Sequence, residues 1–130
     1  MACFWKACLK KISKEDINQI CGAGKQHTPV NFALGLKRIN ETHTISDNIT
    51  WQNQAITGQQ KNEFREWIRT YRVESIPNGK LTGIMDPFFI LLSDVFYINI
   101  RHQYLNHTIE YKTNHPKYTV SFKSNQGHIE

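Results

Sequence analysis

An α+β fold is the class this sequence predicts, and three observations predict it. Apolar residues recur at helical spacing between Cys3 and Phe96. From Ile98 onward they alternate with period two. Capping residues, glycines or prolines mark most of the boundaries between segments. Helices first and strands last is the order of helices packed on a small C-terminal antiparallel sheet.

The elements follow in order. Phe4, Ala7, Cys8 and Ile12 lie at helical spacing, so a first helix of about ten residues starts at Cys3. Ser13-Lys14-Glu15-Asp16 reads as an N-cap with an acidic residue three positions on, opening a short helix that Gly22 ends. Gly22 to Gln26 is a loop. Thr28-Pro29 has the cap-then-proline form of a helix start, with Phe32, Leu36 and Ile39 on one face.

Residues 40–58 are polar and β-branched with Trp51 as the large anchor, which predicts a long loop. Phe64, Trp67, Ile68 and Tyr71 then give an amphipathic helix over roughly 59–73. Pro77-Asn78-Gly79 is a turn. Asp86-Pro87 caps a helix through Phe96 that is apolar almost all round and therefore the most buried element. Alternation at Ile98–His102, Thr108–Tyr111 and Tyr118–Phe122 predicts three strands, separated by turns near Asn106 and His115-Pro116.

The 130 residues fit one domain, 1–130, with one core. A hydrophobic fraction of 39% with three Trp, five Tyr and seven Phe excludes a disordered chain. The net charge of +5 favours anionic partners. It is spread in short pieces such as Lys10-Lys11 and Lys37-Arg38, the pattern of a solvated surface rather than of a nucleic-acid stripe. Three cysteines do not make a disulfide framework. Lys6, Lys10 and Lys11 interrupt any secretory signal, and the apolar run Phe88–Leu92 is too short to span a bilayer. A reducing, cytoplasmic setting without a membrane partner is expected.

Two strings at opposite ends carry the chemistry. Ala2-Cys3-Phe4-Trp5-Lys6-Ala7 puts a cysteine at the start of an apolar helix, and Gly127-His128-Ile129-Glu130 puts a histidine just past a strand. Unpaired N–H groups and the positive dipole end at a helix N-terminus favour thiolate over thiol. Cys8 lies about 140° round the same helix and faces elsewhere. Cys21 sits at a helix end, where the dipole has the wrong sign. Residues two apart on an extended segment project to one side, so Glu130 can orient His128 while the other ring nitrogen faces sulfur. Gly127 permits close backbone approach by a substrate. His27, His43, His102, His107 and His115 lack such a neighbourhood, and the last three read as titrating surface residues.

The two end strings resemble the Asp-Gly-Asn-Cys-Phe-x-x-Ala and Gly-His-aromatic-Asp/Asn signatures of ovarian-tumour (OTU) cysteine proteases. Phe64-Arg65-Glu66-Trp67-Ile68 is similar to that family's R-x-x-I helix, and Asp86 to Arg101 to its buried helix and following x-I-x-V strand. The resemblance runs over nearly the whole chain in order and pattern, and is most like a viral member, with a host-cytoplasmic setting. It implies a papain-like OTU-type fold that hydrolyses peptide or isopeptide bonds without a cofactor. Cys3 would be the nucleophile, His128 the base and acid, and Glu130 the orienting carboxylate. Backbone N–H groups of Ala2 and Cys3 would belong to the oxyanion hole. The substrate would be ubiquitin, a ubiquitin-like protein, or the chain's own polyprotein. The family's Asp-Gly-Asn has no counterpart here, and Glu130 stands where Asp or Asn is commoner.

Two other readings use the same residues. A catalytically inactive OTU-like chain keeps the fold without the chemistry. A basic zinc module binding nucleic acid would use Cys3, Cys8, Cys21 and His27, with four, twelve and five residues between them. Helical geometry opposes it, since one helix cannot turn Cys3 and Cys8 toward one ion. Arg65, Arg69 and Arg72 beside Tyr71 would be the nucleic-acid surface, or simply the wet face of an amphipathic helix.

Overall fold

The computed structural model describes residues 2–22, 24–78, 85–125 and 128–130. Gly79, which closes the expected turn, and Gly127 lie outside these residues. The described residues form α1 (Ala2–Lys11), α2 (Lys14–Cys21), α3 (Pro29–Thr42), β1 (Thr50–Trp51), β2 (Gln54–Ala55), α4 (Gly58–Thr70), a 3-10 helix (Val73–Asn78), α5 (Asp86–Phe96), β3 (Asn99–Tyr104), β4 (His107–Lys112) and β5 (Thr119–Ser124).

The helix starts follow from local chemistry. Ser13 Oγ accepts from the Asp16 N–H at 3.2 Å and Thr28 Oγ1 from the Asn31 N–H at 3.1 Å. At α4 a full capping box forms between Thr57 and Gln60, with bonds of 3.1 and 2.9 Å. At α5 the cap position belongs to Met85, with no side-chain cap bond, and Asp86 is already helical. The Asp86 carboxylate instead accepts the phenolic hydrogen of Tyr111 on β4. Burial, and then the Asp86 charge, hold the Tyr111 hydroxyl far above the usual phenol range.

The strands make one sheet in the order β2-β1-β4-β3-β5. The sheet is mixed, which corrects the antiparallel expectation. β3 and β4 form an antiparallel hairpin, but β5 runs parallel to β3, with Asn99 opposite Thr119 and Tyr104 opposite Ser124. Chain direction is the reason. β4 ends beside the start of β3, so a short link laying the next strand on the free edge of β3 makes it parallel. That link is clamped to the start of β3 by Lys117 N–H donating to Tyr97 O (2.7 Å) and Asn99 N–H to Tyr118 O (3.1 Å).

Residues 40–58 are not one long loop. α3 continues to Thr42, and β1 and β2 extend the sheet, Trp51 pairing with Tyr111. Their turn uses Gln52 and Asn53, both in the left-handed region (φ 53° and 64°). A two-residue turn of this kind normally advertises itself with glycine, and its absence hid the hairpin.

The core lies between the helices and the sheet. Phe4, Trp5, Phe32, Leu36, Phe88, Phe89, Leu92, Ile98 and Tyr111 are wholly buried. α5 is the most buried element, as its composition predicts. Trp5 sits among Phe4, Phe32, Tyr71 and Phe88 with ring centroids 4.8–6.0 Å away, and its indole N–H donates to Tyr71 Oη at 3.1 Å. That anchorage fixes the rotation of α1, and so decides which of its side chains face outward.

Candidate active site

On α1, Phe4, Trp5, Ala7 and Cys8 turn into the core. Cys3, Lys6, Ala7 and Lys10 form a stripe at i, i+3, i+4 and i+7 along one wall of an open cleft of about 760 Å³. The rest of the lining comes from the sheet and the end of the chain. Arg101 lies opposite Ser121, and Gln103 opposite both Lys123 and Thr108, so these side chains share one face. Ile100, Val120 and Phe122 alternate with them and are buried. Lys11 pins α1 to the edge strand, donating to Ser121 O at 2.5 Å with its ammonium 5.1 Å from the Phe122 ring centroid.

The end of the chain closes the cleft. Residues 128–130 pair antiparallel with the end of β5. Lys123 N–H donates to Glu130 O (2.7 Å), Glu130 N–H to Lys123 O (2.9 Å) and Asn125 N–H to His128 O (2.9 Å). Alternation then buries Ile129 and puts His128 and Glu130 together, with Nε2 to Oε2 at 3.6 Å. Cys3, His128 and Glu130 all line the cleft. Both ends of the sequence therefore contribute to one cleft. The Glu130 contact has ion-pair length, and no hydrogen bond joins Cys3 to His128 among the described residues.

The other thiols are placed differently. Cys8 is fully buried, and that burial holds its thiol far above the ordinary value despite the positive charge of Lys11. Cys21, at the end of α2, is also raised by burial against the opposing charge of Arg38. Cys3 is partly exposed in the cleft wall. Accessibility thus singles out Cys3 among the three thiols. Ala2 and Cys3 occupy the first turn of α1, where backbone N–H groups have no intrahelical acceptor.

The zinc arrangement does not assemble. Cys3 lines the cleft while Cys8 points into the core from the same helix, and no group of three or more His, Cys, Asp or Glu that could hold a metal exists among the described residues. Arg65 and Arg69 of α4, and Arg72 just beyond it, have other work. Arg65 donates to the carbonyls of Asn40, Glu41 and His43 (3.2, 3.0 and 3.3 Å), and Arg69 and Arg72 lie 3.5 and 3.8 Å from Glu66 and Glu74. Tyr71 is buried against Trp5, Trp67 and Phe88, so its ring face is closed to a base. No helix among the described residues is long and apolar enough to cross a membrane.

Two features escape a reading of the sequence alone. His102 is not a surface residue at a strand end. It lies within β3, stacks near Phe89 and shares a 2.5 Å hydrogen bond with Ser124 Oγ. Burial lowers its pKa against the opposing charge of Asp86, which favours the neutral imidazole. The pair lies beside the strand end that carries His128, outside the cleft lining. The second feature is charge. Lys6, Lys10, Lys11, Arg101 and Lys123 line the cleft against one carboxylate, Glu130. The excess that is diffuse in sequence is concentrated in space. Lys6 and Lys10 were legible as neighbours of Cys3 at helical spacing; Arg101 and Lys123 required the strand register.

Compared with protein-family models, with curated proteins and with solved structures, the chain matches none.

Proposed function

We propose that this chain is a thiol peptidase with a papain-like OTU-type architecture, acting on peptide or isopeptide bonds. The observation that carries the reading is the convergence of Cys3, His128 and Glu130 on one cleft from opposite ends of the sequence. The buried states of Cys8 and Cys21 support Cys3 as the nucleophile.

The chemistry uses each group once per half-reaction. His128 takes the thiol proton as Cys3 Sγ attacks the scissile carbonyl carbon. Glu130 holds the imidazole ring and stabilises the imidazolium that forms. The free N–H groups of the first turn of α1, those of Ala2 and Cys3 among them, stabilise the oxyanion. Collapse breaks the carbon–nitrogen bond as His128 returns its proton to the leaving amine. Water, deprotonated by the same ring, then releases the acid from the thioester.

The substrates that fit the family resemblance are ubiquitin, a ubiquitin-like protein or a flanking polyprotein segment. The test is covalent labelling with a ubiquitin carrying a C-terminal electrophile. Labelling of the parent that is lost in both Cys3→Ala and His128→Ala supports the reading. Labelling that survives Cys3→Ala and moves to Cys8 or Cys21 overturns the assignment, and a parent that is inert to this and to short peptide electrophiles is a catalytically inactive relative.

A further inference from the structure

We infer that the cleft beside Cys3 binds an acidic peptide segment, so that the substrate carries carboxylates next to the bond that is cut. The inference rests on the peptidase reading for its scissile bond, but its physical basis is separate.

Among the described residues, five cationic side chains and one carboxylate, Glu130, line the cleft. Two of the cations are already engaged. Lys11 bonds to Ser121 O, and Arg101 lies 4.0 Å from Glu110, which itself pairs with Lys112. Lys6, Lys10 and Lys123 have no ion pair among the described residues, and all three are exposed. They come from two elements, Lys6 and Lys10 from α1 and Lys123 from β5. Like charges gathered along one cleft repel, and an anionic occupant relieves that repulsion. The rest of the lining, including Cys3, Ala7, Gln103, Thr108, Ser121 and Ile129, supplies small, neutral surface suited to a backbone.

Spacing fixes where the carboxylates belong. Along α1, Lys6 lies about 4.5 Å and Lys10 about 10.5 Å beyond Cys3, at 1.5 Å rise per residue. An extended peptide advances about 3.3 Å per residue, so its acidic side chains fall about one and three positions from the attacked carbonyl. A nucleic acid offers the same sign of charge but needs faces on which bases stack. Among the described residues the lining holds no exposed Phe, Tyr or Trp: Phe122 is 2% exposed and covered by Lys11, which leaves only the smaller His128 ring. An acidic peptide therefore fits better.

The experiment measures binding of dansyl-Gly-Asp-Gly-Asp-Gly and dansyl-Gly-Lys-Gly-Lys-Gly to the Cys3→Ala chain at low and high salt. The acidic peptide should bind at least about tenfold more tightly at low ionic strength, with the preference fading as salt is raised. It should disappear in Lys6→Glu/Lys10→Glu/Lys123→Glu, with Lys→Gln at the same positions intermediate and circular dichroism reporting that each variant is folded. Equal affinities, or a preference that survives charge reversal, would overturn the inference. So would tighter binding of single-stranded DNA competing for the same lysines, which would make the cleft a nucleic-acid surface. Electrophilic versions of both peptides separate the two claims. Equal labelling of Cys3 by both leaves the peptidase and removes the acidic preference, whereas selective binding with no labelling of Cys3 leaves the preference and removes the peptidase.

Discussion

Tyr118→Phe probes how the edge strand that carries His128 is held to the helices. The Tyr118 hydroxyl donates to Asp16 Oδ2 at 2.8 Å and accepts from the Ser13 N–H at 3.0 Å, tying the start of α2 to the link before β5. Asp16 is 3% exposed, and its other oxygen accepts from Lys117 Nζ at 2.8 Å. Burial works to raise the Asp16 carboxyl, but hydrogen bonds from Lys117, Tyr118 and Ser13 outweigh it and hold the group below its ordinary value of 3.8. Removing the hydroxyl deletes one bond to a charged acceptor and strands a backbone donor, a loss of about 2 kcal/mol at pH 7. Lys117 is half exposed, so it compensates little. Because the folded-state value is depressed, the stabilisation is fully present above the ordinary carboxylate value and is lost as pH falls through the lower, folded one. Urea unfolding at pH 7 and pH 2.5 should therefore show a difference that shrinks in acid to about 1 kcal/mol or less. An undiminished difference at the lower pH, or none at pH 7, would refute the reasoning.

Three further predictions concern the scaffold and the thiols. In Gly35→Ala the new Cβ would lie 2.2 Å from Ile20 O and 2.6 Å from Ile20 Cγ2. The helix-propensity gain of about 1 kcal/mol is outweighed by forcing α2 and α3 apart, so thermal or urea unfolding should report a net loss of about 2 kcal/mol. Trp5→Phe leaves the Tyr71 hydroxyl without its donor and underfills a ring cluster, which should lower stability by about 2 kcal/mol in the same assay. Native protein treated with a water-soluble maleimide should be modified at Cys3 within minutes, while mass spectrometry finds Cys8 and Cys21 protected until denaturant is added.

How far the sequence discloses this fold depends on the range of the interactions. α2 and α3 start where Ser13 and Thr28 place them, because a cap is decided within four residues. The mixed sheet was hidden, since the direction of β5 depends on how a six-residue link crosses the start of β3. The hairpin at Gln52-Asn53 was hidden because neither residue announces a left-handed turn as glycine does. At the candidate site, Cys3, His128 and Glu130 were legible from local context: helix start, strand end and i, i+2 alternation. The cationic lining was only half legible. Lys6 and Lys10 share a helix stripe with Cys3, but Arg101 and Lys123 reach the cleft through pairing between strands twenty residues apart.

The cooperation of the two chain ends is tested most directly by the rate at which iodoacetamide alkylates Cys3 at pH 7. Parent protein should react at least about tenfold faster than His128→Ala, with Glu130→Gln between them, if the ring activates the sulfur and the carboxylate orients the ring as proposed. Equal rates in the parent and in a folded His128→Ala protein would mean that the imidazole does not act on that sulfur, and the peptidase account would fail.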